Sequence, residues 1–171
     1  MPRSFPSHLK VEIYRFHPLV LILTPLLALV LQSYLPLYLS FVNLLDLPLL
    51  VVIYFGLTRR SPIEGIFTGA LIGMAQDSLS RGPIGLLGSA KTVIGYVTSH
   101  VSVRFTVENP AVRSLTIFIL YYLHFLVVYV VSALLLGQPM GLTWNRVLAA
   151  LVNTGVGVVL FQLLDRFRRP A

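Results

Sequence analysis

The chain has 171 residues, of which 56% are hydrophobic and only 11% charged, and its mean hydropathy is +0.84. Soluble domains carry about 25% charged residues, so this composition excludes a water-solvated globule and points to lipid as the solvent. Cysteine is absent, which removes disulfide frameworks and thiolate metal sites, and the formal charge of +7 has to be tested against membrane topology before nucleic acid is considered.

Six apolar runs follow one another, near 18–35, 37–57, 62–79, 84–103, 112–136 and 142–164. At ~20 residues per crossing they fill residues 1–171 as a single membrane domain and leave no room for a soluble catalytic unit. The expected fold class is therefore all-α, a polytopic integral membrane protein with six transmembrane helices. Residues 1–17 read as an interfacial segment, because Phe5, Leu9, Ile13 and Phe16 share one helical face between Lys10, Glu12 and Arg15; Leu9, Val11 and Ile13 also alternate as a strand would. The first run has basic residues ahead of it, as a signal peptide does. No small-x-small cleavage pattern follows near Gln32-Ser33-Tyr34, so it reads as an uncleaved span.

The second run holds Asp46-Leu47-Pro48, where proline removes a backbone hydrogen bond and an acid is expensive in hydrocarbon. Two readings stand: a broken element whose second half starts near Asp46 with the carboxylate capping it, or a proline kink with Asp46 reaching water. In the third run Gly65, Gly69, Gly73 and Asp77 recur every four residues, a smooth stripe for close helix packing, within the chain or against a partner. Gly82, Pro83 and Gly85 then make a tight turn that sets the third and fourth helices side by side. Lys91 follows in the fourth run. A buried ammonium needs a carboxylate or carbonyls near it, so Asp46, Asp77 and Lys91 are expected to meet, as a structural ion pair or as the lining of a polar pocket.

With six crossings, both termini and the loops at 58–61 and 104–113 share one side. That side holds ten basic residues (Arg3, Lys10, Arg15, Arg59, Arg60, Arg104, Arg113, Arg166, Arg168, Arg169), while the other holds Arg81 and Arg146. Basic residues at span ends stay in the cytoplasm, so both termini are expected there and the charge is explained without nucleic acid. For catalysis the inventory is poor. There is no Gly-x-Ser-x-Gly, Walker loop or His-Glu-x-x-His; Ser89 and Lys91 lie two apart on different helix faces; and His124 has no second histidine at ligand spacing, so a hydrogen-bonded interior histidine is expected. Asn153 with Gly157 reads as interhelical hydrogen bonding plus close packing. No enzyme activity, cofactor or metal is expected.

The stretch 46–98 resembles the rod shape-determining protein MreD family of bacteria. The resemblance rests on Asp46 with Pro48, the double basic turn Arg59-Arg60, Gly65, Gly69 and Gly73 leading to Asp77, Gly82 and Gly85, and Lys91-Thr92-Val93-Ile94-Gly95-Tyr96. It covers about a third of the chain. One departure is the order at 46–48, where the family commonly places proline before the acid, which questions the helix start there. The resemblance implies a non-enzymatic scaffold in the cytoplasmic membrane that serves cell elongation and peptidoglycan synthesis. It implies binding to the single-pass protein MreC, through it to RodA with its transpeptidase and to MreB, in an assembly that can hold more than one copy. It also implies a fold similar to the substrate-capture subunits of energy-coupling-factor vitamin transporters, which makes such a subunit the alternative. Those subunits dock through an Ala-x-x-x-Ala-like face on the first helix, whereas here Ala28 is flanked at four residues by Thr24 and Gln32.

Overall fold

The computed structural model describes residues 14–15, 17–80, 82–104, 109–137, 145–167 and 169–170. Six α-helices follow in order: α1 (Pro18–Tyr34), α2 (Leu47–Arg59), α3 (Pro62–Ser80), α4 (Leu86–Arg104), α5 (Pro110–Leu136) and α6 (Asn145–Asp165). Between α1 and α2 lie two short 3-10 turns, Leu35–Leu37 and Ser40–Leu44. Two-residue strands β1 (Tyr14–Arg15) and β2 (Arg169–Pro170) pair antiparallel, which brings the two ends of the described chain together. The interfacial helix expected over 1–17 lies outside the described residues except at Tyr14–Arg15 and His17, which are extended.

Helix starts follow local chemistry. Proline stands in the first turn of α1, α2, α3 and α5 (Pro18, Pro48, Pro62, Pro110), where its missing N–H costs nothing and its fixed φ suits the helix. His17 Nδ1 accepts from the Leu19 N–H at 3.3 Å and Asn109 Oδ1 from the Ala111 N–H at 2.9 Å, capping α1 and α5. Arg60 takes a left-handed conformation (φ 54°) that ends α2, and Gly137 does the same after α5 (φ 63°).

The helices run alternately up and down. Gly65 faces Gly95 while Gly73 faces Leu87 and Gly88, so α3 and α4 are antiparallel; Arg113 meets Asp165 while Phe125 meets Arg146, so α5 and α6 are too. One end of the bundle, the terminal end, carries β1, β2 and the 59–62 turn. The distal end carries the 3-10 turns, the 80–86 turn and the start of α6. α2 is the axis: every residue from Pro48 to Thr58 is buried among the other helices. Large apolar side chains on α1, α3, α5 and α6, such as Leu19, Phe67, Leu134 and Val159, point outward with more than half their surface exposed. Such faces are stable only against lipid or another apolar protein surface.

Among the described residues four stretches are long and apolar enough to cross a membrane: Pro18–Leu37, Phe41–Arg59, Pro110–Leu136 and Asn145–Asp165. α3 and α4, each 19 residues, match them in length but are diluted by glycine, serine and threonine, because their facing surfaces approach too closely for large side chains. A Cβ on Gly65 would strike the Gly95 carbonyl, and one on Gly69 the Lys91 carbonyl; on Gly73 it would lie 2.6 Å from the Leu87 oxygen. The stripe therefore packs α3 onto α4 within the chain.

Candidate functional site

The site grows out of the break before α2. That helix has 13 residues, about 20 Å at 1.5 Å per residue, which is short of the ~30 Å hydrocarbon thickness. A chain that leaves the helix at membrane depth exposes backbone groups that lipid cannot satisfy, so side chains must do it. Three residues supply the bonds. Asp46 is the N-cap: its Oδ1 accepts from the Leu49 N–H at 3.0 Å. Asn153 of α6 accepts from the Asp46 N–H through Oδ1 at 2.9 Å and donates through Nδ2 to the Leu44 carbonyl at 2.7 Å. Gln32 of α1 donates to the Leu45 carbonyl and accepts from the Leu47 N–H, both at 3.0 Å. Of the two readings of Asp46-Leu47-Pro48, the capped break is the one observed, and an acid followed by proline at the second helical position is a sound helix start.

The other Asp46 oxygen holds Lys91. Nζ donates to Oδ2 at 2.7 Å, with the lysine side chain fully buried and the aspartate 16% exposed. α4 is thereby bolted to the start of α2. Asp77 does not join them, which corrects the expected three-way cluster. Its buried carboxylate accepts instead from the Gly85 N–H (2.8 Å), the Leu87 N–H (3.0 Å) and the Gly88 N–H (3.0 Å). It sits where the first turn of α4 presents unsatisfied donors and the positive end of the helix dipole, a sufficient partner for an acid. Gly85 has φ +95°, a conformation that L side chains rarely adopt, so the turn needs glycine there; Gly82 and Pro83 complete it without close contact at Gly82.

Above this frame lies a cavity of about 270 Å³, lined by Gln32, Asp46, Gln76, Tyr121, His124 and Arg146 among others. A recess of about 230 Å³ shares Asn43, Leu44, Tyr121 and Arg146 with it. His124 is buried and its Nε2 has no hydrogen-bond partner among the described residues, which corrects the expectation of a hydrogen-bonded interior histidine. Gln76 Oε1 is likewise buried and without a partner. Arg146 lies with its guanidinium carbon 4.6 Å from the centroid of the Phe125 ring. Among the described residues no three His, Asp or Glu side chains are grouped as a metal would require.

Sequence reasoning missed Gln32, Gln76 and Arg146. In the sequence Gln32 figures only beside Ala28 and in the missing cleavage pattern, and Arg146 only as one of two basic residues on the side opposite the termini, although its place on the first turn of an apolar helix signals a residue turned along the bundle. It also missed a second polar lock at the terminal end, where Arg113 donates to Asp165 at 2.6 Å and the Tyr54 hydroxyl to the same carboxylate at 3.1 Å. Ser89 bonds the Leu86 carbonyl and stands apart from the Lys91 pair. Comparison of the chain with models of known families, with curated proteins and with solved structures finds no match.

Proposed function

We propose that this chain is a non-enzymatic membrane scaffold of the MreD kind, working in cell elongation and peptidoglycan synthesis. One observation carries the reading. The residues behind the resemblance are spent on rigidity: Asp46 and Lys91 join α2 to α4, Asp77 caps α4, and Gly65, Gly69 and Gly73 seat α3 on it. The three charged residues of the frame, Asp46, Asp77 and Lys91, are all engaged, while the apolar outer faces of α1, α5 and α6 remain for lipid and neighbours. In this reading α3 and α4 cross the membrane beside the four apolar spans, shielded by α2 and by each other. Both termini then lie in the cytoplasm of a bacterial cell, where the ten basic residues of the terminal side hold them. The partners are an MreC-like single-pass protein and, through it, RodA with its transpeptidase and MreB. Co-expression with an MreC-like protein and purification in mild detergent should yield a stable complex; recovery of each protein alone would refute the proposal.

The alternative is a solute-capturing subunit of an energy-coupling-factor type transporter. The distal cavity favours it, since a pure scaffold has no need of unpartnered His124 and Gln76 atoms at that depth. A vitamin-sized molecule retained through purification, together with binding to a paired ATPase module, would decide for it.

A further inference from the structure

We propose that the distal cavity binds a small free carboxylic acid, with the carboxylate on Arg146 and the polar remainder on Gln76 and His124. The charge inventory comes first. Of the six acids, Glu12 and Glu108 lie outside the described residues. The other four are engaged elsewhere: Asp46 with Lys91, Glu64 with Arg59, Asp165 with Arg113, and Asp77 with three backbone N–H groups. Arg146 thus faces the cavity with no carboxylate partner among the described residues. Stacking on Phe125 engages the flat face of its guanidinium, and a side-chain hydrogen bond to Tyr121 uses part of its edge; of five N–H donors, the rest can meet a ligand.

Helix ends give a second, independent argument. Three helices begin at the distal end, and the positive ends of α2 and α4 are met by Asp46 and Asp77. α6 begins at Asn145, beside the cavity, with no described acid at its start. An anion seated there meets the Arg146 fork and the helix dipole together. The charge of the ligand follows as well. Asp46 and Lys91 cancel, so the lining carries one excess positive charge from Arg146, which matches a monoanion and leaves a dianion uncompensated.

Size and hydrogen bonding set the rest. At about 30 Å³ per water the cavity holds roughly nine waters, so the ligand has on the order of ten heavy atoms. Gln76 Oε1 wants a donor and His124 Nε2 a hydrogen-bonding group of either kind, and a buried polar atom without a partner is costly until something fills it. An acid bearing an amide or hydroxyl meets these needs. The inference does not rest on the scaffold reading, because a bundle that holds partners on its outer faces can still carry a ligand at its distal end.

N-acetylalanine is a suitable probe, having a carboxylate, an amide N–H and a size that fits, and N-acetylalaninamide is its uncharged control. Saturation-transfer NMR on the full chain in detergent micelles should show saturable binding of the acid, at least tenfold tighter than the amide. Arg146→Gln should weaken the acid at least tenfold and leave the amide unchanged, and Gln76→Leu should weaken both. Equal binding of acid and amide by the unaltered chain would overturn the proposal without recourse to any variant. So would unweakened binding of the acid by Arg146→Gln, or binding confined to longer peptide acids, which would make the occupant a partner polypeptide. Co-purification with an MreC-like protein is read separately and is unaffected by any of these results.

Discussion

Asp46 and Lys91 are best tested by a double-mutant cycle. At 2.7 Å and an effective dielectric of ~20 their mutual attraction is about 6 kcal/mol, most of which offsets the desolvation of two ions. Replacing one partner removes the attraction and leaves the other charge stranded, which costs about 3–5 kcal/mol for a buried pair. The two single variants should differ. Lys91→Leu leaves a carboxylate that keeps the Leu49 N–H and borders the cavity, whereas Asp46→Asn leaves an ammonium with no exposed surface. Asp46→Asn is therefore the more damaging. Combined, Asp46→Asn and Lys91→Leu keep a cap on α2 and fill the lysine channel with an apolar side chain, so the double variant should lose only about 1–2 kcal/mol. Reversible unfolding in mixed micelles, followed by circular dichroism, gives the four stabilities. A double variant whose loss equals the sum of the two single losses would show that the ion pair does not hold α2 to α4.

Gly69→Ala should already cost about 2–4 kcal/mol in the same assay, since even one Cβ meets the Lys91 carbonyl and the backbone of Thr92, while Gly82→Ala should stay within about 0.5 kcal/mol. Asp77→Ala strands three N–H groups, that of Gly88 buried and those of Gly85 and Leu87 half-buried, and should cost about 2–3 kcal/mol, with Asp77→Asn recovering part of it, read as the midpoint of unfolding. Asn153→Leu should be worse than Asn153→Asp at the break, because the leucine satisfies neither the Asp46 N–H nor the Leu44 carbonyl; hydrogen exchange at residues 44–49 should rise in the leucine variant first. Labelling of single cysteines introduced at residues 1 and 171 should report the same side of the bilayer, and opposite sides would refute six crossings.

The helices were legible because lipid imposes a simple rule: backbone groups must be satisfied within the segment, so apolar runs bounded by charge and proline become helices. The expected runs near 62–79, 112–136 and 142–164 differ from α3, α5 and α6 by a few residues at their ends. Asp46-Leu47-Pro48 marked a break or a kink without deciding between them, and Lys91 called for a carboxylate or carbonyls nearby. What the sequence did not show was which one. Asp46 and Asp77 were both candidates at similar depth, and the choice was made by an alternative the spacing does not display, the unsatisfied start of α4 beside Asp77. Gln32 was hidden for a related reason, since a lone amide in an apolar run carries no spacing pattern and its partner is a backbone group 13 residues away; Asn153 was legible as an interhelical hydrogen-bonding residue, but its backbone partner 109 residues away was not.

The break and the cavity have one physical origin. A straight helix through residues 37–59 would satisfy its own backbone except at the carbonyl left without a donor by Pro48, and would need little from the side chains of other helices. Breaking it at Asp46 brings the 3-10 turn Ser40–Leu44 across the distal end, calls in Gln32 and Asn153 to bind the freed backbone groups and Lys91 to bind the capping carboxylate, and leaves the space beside the turn lined by Asp46, Gln76, His124 and Arg146. Asp46, Gln32 and Asn153 at the break are all hydrogen-bonded, whereas His124 Nε2 and Gln76 Oε1 have no partner among the described residues. Those two atoms add nothing to the repair of the backbone, and in a low-dielectric interior they are a cost to stability that a bound ligand would remove.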